Sequence, residues 1–203
     1  MKKGVKKERR RVRREWCGKN WKWVVPCIVT GLILAIVLYS ISISFIVSKL
    51  QQNTFLQLKL CVGSSITKDM TELVVPSNRC NSRLSKTVDL SLFPQLKSIE
   101  IGDECFMHVN EVKLIGLSQL ERVMIGENSF TKNKGSSGNN ANRKLYVKNC
   151  DALKELKIGV FSFSDYSVIE IENVNSLELI EMGDMNIESN NFFYASLELK
   201  SER

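Results

Sequence analysis

Histidine occurs once in the 203 residues, as His108, and no G-x-S-x-G or H-E-x-x-H segment surrounds it. A nucleophile triad or a catalytic zinc site therefore lacks parts, and an exposed loop position is the reading for this histidine. No D-x-D carboxylate pair occurs, which removes a common means of holding a nucleotide-bound metal. No asparagine beyond the hydrophobic run begins an N-x-S/T sequon, so N-glycosylation is not expected. The six cysteines match no C-x2-C zinc spacing. No cofactor or metal is expected, and the chain is not read as an enzyme.

Charge is missing from one stretch altogether. Val24 to Val47, VVPCIVTGLILAIVLYSISISFIV, contains no Asp, Glu, Lys or Arg. Roughly 20 apolar residues in a helix cross a hydrocarbon core about 30 Å thick, and a helix is the form in which a lone segment satisfies its own backbone in lipid. The stretch is thus expected to be a single transmembrane helix over 24–47. It exceeds the 7–15 apolar residues of a signal-peptide core and lacks an A-x-A-like exit, so an uncleaved signal anchor is preferred to a cleaved leader.

Residues 1–23 form a polybasic head with eleven Lys and Arg against Glu8 and Glu15, a net charge of +9; the remainder holds 18 against 20, a net of −2. The basic balance belongs to the head alone, so no nucleic-acid partner is expected. Positive charge beside a span stays cytoplasmic and is attracted to anionic lipid head groups. The expected arrangement is type II in the plasma membrane or a secretory-pathway membrane, with the N-terminus cytoplasmic and the C-terminal part luminal or extracellular. Trp16, Trp21, Trp23 and Tyr39 are placed to anchor at the interfaces. Cys17 and Cys27 flank the cytoplasmic boundary, where palmitoylation is possible.

Residues 48–54 read as a short polar tether and 55–203 as one domain. TFLQLKLCV, from Thr54, alternates with Leu56, Leu58, Leu60 and Val62 on one side, and is expected to be a capping strand. The rest of the domain repeats. LKSIEIGDECF from Leu96, LERVMIGENSF from Leu120, LKELKIGVFSF from Leu153 and LELIEMGDMNI from Leu177 start 24, 33 and 24 residues apart, with a weaker copy from Met70. Such spacing signals a solenoid. Gly102, Gly126, Gly159 and Gly183 recur at one place, where the turn needs a positive φ or a close approach of coils. A second apolar pulse, Val88/Leu90, Val112/Leu114, Leu145/Val147 and Ile169/Ile171, gives each coil two short strands. The fold class is mainly β, a solenoid of short parallel strands in which Phe106, Phe130 and Phe163 stack as an inward ladder. Cys61, Cys80, Cys105 and Cys150 lie in this domain, as disulfide partners in an oxidising space or as small buried hydrophobes.

LERVMIGENSF resembles the leucine-rich repeat consensus L-x-x-L-x-L-x-x-N-x-L, with Leu120, Val123, Ile125, Asn128 and Phe130 in its slots. The IG-x-x-SF core, with Cys150 in LYVKNCDAL, resembles the BspA-like class, known for surface proteins of bacteria and protists. In that family the Asn slot ties neighbouring coils through its amide. Here Glu104, Phe161 and Met185 occupy it in other copies, leaving Asn78 and Asn128.

The long interval contains an insertion, residues 131–144, rich in Gly, Ser and Asn and without an apolar anchor, which is expected to be a mobile surface loop. The chain stops after a final pulse, Leu197/Leu199, without a polar capping coil, so that edge is open or covered by something. Glu170, Glu172, Glu178 and Glu181 alternate with apolar residues as a solvated strand face would. The expected function is a non-catalytic module recognising a protein or glycan ligand. The alternatives are a small luminal type II enzyme with the topology of a glycosyltransferase, and a degenerate repeat paralogue without binding activity.

Overall fold

The computed structural model describes residues 2–63, 65–132, 140–184, 186–193 and 195–201, without the side chains of 2–27, 50, 51, 53, 140 and 141. The chain divides into two compact units, Met1–Lys49 and Leu50–Arg203. It is mainly β, a parallel β-solenoid preceded by one long helix, α1 (Lys2–Val62).

Within α1, an 18-residue window of mean hydropathy 2.3 makes the helix apolar enough to cross a membrane. Side chains 28–49 of the helix are all exposed. Its serines need no outside partner for their hydroxyl protons: Ser40, Ser42 and Ser44 donate Oγ to the carbonyls of Val37, Leu38 and Ser40 at 2.8–2.9 Å.

The tether and the capping strand expected over 48–62 are instead continuous helix. Helix nucleation is the unfavourable step, and a helix already formed upstream propagates into any segment that tolerates it. TFLQLKLCV tolerates it because its apolar residues also fit a helical period. Thr54 and Leu58 are buried and Phe55, Cys61 and Val62 are half-buried, while Leu56 and Leu60 face solvent. The last turns of α1 therefore cap the first coil through one stripe. Phe55 stacks on Phe93 at 6.2 Å, and a disulfide joins Cys61 to Cys80 with Cα atoms 5.1 Å apart.

The solenoid has two five-stranded parallel sheets. The first runs β1 (Glu72–Val75), β3 (Ser98–Ile101), β5 (Arg122–Ile125), β7 (Glu155–Ile158), β9 (Leu179–Met182); the second runs β2 (Thr87–Asp89), β4 (Glu111–Ile115), β6 (Asn140–Lys148), β8 (Tyr166–Glu172), β10 (Ser196–Lys200). Registers align like residues. Leu73, Ile99, Val123, Leu156 and Ile180 form one inward column, and Val88, Val112, Leu145, Ile169 and Leu197 form its counterpart in the other sheet. Neither column buries much apolar surface within one coil; stacked, they enclose a continuous core.

Phe106, Phe130 and Phe163 stack at 5.0 and 4.7 Å with ring planes 5° apart, and Phe192 continues the stack from Phe163 at 5.2 Å. Behind this stack a polar ladder spans three coils. Ser129 Oγ donates to Gly102 O (2.7 Å) and accepts from Cys105 N (3.0 Å), and Ser162 Oγ donates to Gly126 O (2.6 Å) and accepts from Ser129 N (2.8 Å). Asn191 Nδ2 donates to Gly159 O at 2.7 Å in the next coil.

The turn glycines all work by close approach: even at Gly183 a Cβ would lie 2.3 Å from the Ser189 side chain. A Cβ on Gly102 would lie 2.6 Å from Ser77 N, and one on Gly159 would lie 2.6 Å from Gly126 C. Only Gly183 of the four has a positive φ, +69°. The left-handed positions fall two and four residues later, at Glu104 and Phe106, Asn128 and Phe130, Phe161 and Phe163. The Asn slot is thus a backbone requirement that asparagine tolerates well. In the fifth coil the equivalent position is Asn190, because Phe161 N donates to Ser189 O where Asn128 N donates to Val160 O. Met185, assigned to that slot by sequence spacing, lies outside the described residues. An amide pair does join coils, but at another corner: Asn173 Nδ2 donates to Asn149 Oδ1 at 3.0 Å, with Gly116 in the matching left-handed position.

Candidate functional site

The two sheets present outward columns. On the second sheet these are Asp89, Lys113, Tyr146, Glu170 and Glu198, beside Ile115, Lys148, Glu172 and Lys200. Signs alternate along Lys148, Glu172 and Lys200, and charges pair: Lys113 Nζ is 3.0 Å from Glu111, and Lys148 Nζ is 2.6 and 2.9 Å from Glu170 and Glu172. Hydrogen bonds donated by Lys148 to Glu170 and then to Glu172 push its pKa above its usual range. On the first sheet Arg122 meets Glu155 at 3.0 Å and Lys157 meets Glu181 at 3.5 Å. The acids Glu170, Glu172 and Glu181 thus serve mainly as partners for lysines between strands, and Glu178 is exposed. Among these columns Tyr146 is the aromatic, half-buried with Lys148 Nζ 5.5 Å from its ring centre.

Buried chemistry in the domain is structural. Arg143 is 1% exposed. Its Nη2 donates to the carbonyls of Val109 (2.7 Å), Phe130 (2.9 Å) and Met107 (3.0 Å), its Nη1 meets Asp165 at 2.5 Å, and it lies 4.7 Å over the Tyr166 ring. Tyr166 OH donates to Val109 O at 2.8 Å. Burial pushes the Asp165 carboxyl up and Arg143 draws it back. The insertion read as lacking an apolar anchor is pinned at both flanks by polar side chains, Arg143 and buried Thr131, whose Oγ1 donates to Phe161 O at 2.6 Å. Positions 133–139 between them lie outside the described residues.

Of the four domain cysteines, Cys61 and Cys80 are bonded, whereas Cys105 and Cys150 are free and buried. Their columns explain this: Cys105 shares the ladder slot of Ser129 and Ser162, and Cys150 packs behind Asn149. Burial raises both thiols, Cys150 to about 11, which leaves them inert at neutral pH. Cys17 and Cys27 lie on α1, with side chains outside the described residues. His108 sits half-buried in a turn, more enclosed than an exposed loop position, and burial lowers its pKa. Among the described residues, no group of three or more His, Cys, Asp or Glu could hold a metal ion.

Comparison with protein-family models, curated proteins and solved structures returns no match. The serine ladder and the Arg143 plug escaped the sequence reading. The recurring Ser before Phe in ENSF and VFSF was a usable signal for the first; an arginine inside a polar, Gly-rich insertion gave none for the second.

Proposed function

We propose that this chain is a single-pass type II membrane protein that presents a non-catalytic, leucine-rich-repeat-like solenoid of BspA-like character for recognition of a protein or glycan ligand. The observation that carries the reading is the pair of outward sheet faces, broad and charge-paired, joined to a helix whose apolar side chains 28–49 are all exposed. Paired charges on a flat ladder offer shape and hydrogen bonding to a partner and no converging reactive groups. The +9 head supports a cytoplasmic N-terminus. The Cys61–Cys80 disulfide supports an oxidising compartment for the domain.

The test uses the full-length chain in lipid nanodiscs, screened against arrayed extracellular proteins and glycans. Tyr146→Ala is expected to weaken a retained ligand by at least about tenfold, the loss of one hot-spot residue, without lowering the melting temperature appreciably. Turnover of a nucleotide-sugar donor by the purified protein would contradict the non-catalytic reading.

A further inference from the structure

The last turns of α1 and the loop before β2 enclose an open cleft of about 580 Å³, within the usual range for small-ligand sites. One wall is helical, with Leu56 and Leu60 51% and 79% exposed; across from it Leu84 is 92% exposed. Most large apolar side chains of the first coil are buried, so three exposed leucines around one cleft stand out from their surroundings. The Cys61–Cys80 disulfide forms part of the lining, and Asn81 fixes the loop to the next coil through Glu104 O and Met107 N, both at 2.8 Å. The cleft is therefore built on a cross-linked base. Gln57 also lines it, and its Nε2 is buried without a hydrogen-bond partner among the described residues. A donor left so is costly unless a ligand oxygen meets it.

Charge selects among occupants. The two lining segments and their flanks contain Lys59, Arg79, Arg83 and Lys86, all exposed, and no acid from Gln51 to Lys68 or from Leu73 to Val88. The neighbouring His108 responds to this field: after burial, Arg83 and Lys86 are the next causes that lower its pKa. Exposed leucines with Lys86 in the lining, and Arg83 between the lining residues Ser82 and Leu84, fit a lipid with an apolar chain and an anionic head, whereas an apolar peptide or a second copy would leave the cations unanswered. The chain also keeps the cleft near lipid. Thr54 is seven residues beyond Val47, so at most roughly 25 Å of backbone separates the cleft from the end of the apolar run.

We infer that this cleft binds an anionic phospholipid of the membrane in which the chain is anchored, an acyl chain lying against Leu56, Leu60 and Leu84, the phosphate facing Arg83 and Lys86, and the Gln57 amide donating to a lipid oxygen. The inference rests on the membrane reading above. It is tested with the full chain in nanodiscs doped with phosphatidylglycerol or phosphatidylcholine that carries a diazirine on one acyl chain, the adducts being mapped by peptide mass spectrometry. Labelling of peptides 54–61 and 79–87 is expected to be roughly fivefold higher with phosphatidylglycerol for each cation engaged. Leu84→Asp should reduce that labelling, and Arg83→Glu with Lys86→Glu should abolish the preference between lipids; both changes are on exposed side chains, and the 28–49 peptide serves as the internal standard. Labelling confined to 28–49, or cleft labelling indifferent to head group and substitutions, overturns the inference while leaving the membrane reading in place. Failure to label 28–49 at all removes the membrane reading and this inference together.

Discussion

Phe130 has a ring on each face, Phe106 at 5.0 Å and Phe163 at 4.7 Å, and none of its surface is exposed. Truncation to alanine opens a cavity that stacked coils cannot close, and Phe130→Ala is expected to lose about 3–5 kcal/mol. Phe55→Ala, with one ring neighbour and a half-buried side chain, should lose clearly less in chemical unfolding of the full chain in detergent. Equal small losses would put Phe130 outside the core. Glycine gives a second contrast. Gly126→Ala places a Cβ 2.7 Å from Gly102 C, an overpacking worth about 1–3 kcal/mol. Gly116 has open space around it and φ +71°, the conformation that Asn149 and Asn173 hold in the same column. Gly116→Asn should therefore leave the melting temperature nearly unchanged, and a large drop would show that the column is misaligned. The Phe stack was legible because like residues recur at one offset. The left-handed positions were not, since Asn78, Glu104 and Phe161 share a φ without sharing a side chain.

At the scale of elements, the end of α1 is where sequence and structure part. TFLQLKLCV satisfies period 2 through Leu56, Leu58, Leu60 and Val62, and a helical period through Thr54, Phe55, Leu58, Cys61 and Val62. Local pattern cannot choose between them; continuity with the helix upstream does. The cap is then secured by the Cys61–Cys80 bond, 19 residues apart in sequence. Replacing both cysteines by serine is expected to destabilise the cap by about 3 kcal/mol and to raise hydrogen exchange over 54–62 well above that over 120–125. Uniform exchange in both segments would mean that the helix end does not depend on the bond. The insertion divides in a similar way. Deleting 134–139 should leave the melting temperature within a few degrees, because loop closure depends weakly on length. Arg143→Met leaves Asp165 buried without its cation and removes donors from three carbonyls, a loss of about 3–5 kcal/mol. If the two changes behave alike, Arg143 is not the anchor.

For the molecule as a whole, the alternation of polar head, uncharged run and repeating domain was readable from one sequence, because charge and apolar period are each local properties. The outward surface of Lys113, Tyr146, Lys148 and their acidic neighbours was not, since these residues become one surface only when coils 24 or more residues apart stack. The account's central claim is a membrane-anchored solenoid on the side opposite its basic head, and topology mapping tests it most directly. A glycosylation sequon is introduced between Lys132 and Lys144, or alternatively within residues 1–23, and each full-length chain is made in the presence of microsomes and washed with alkaline carbonate. The account predicts that both chains stay in the membrane pellet and that only the insertion sequon is glycosylated. Release by carbonate, or modification of the head sequon alone, would contradict it.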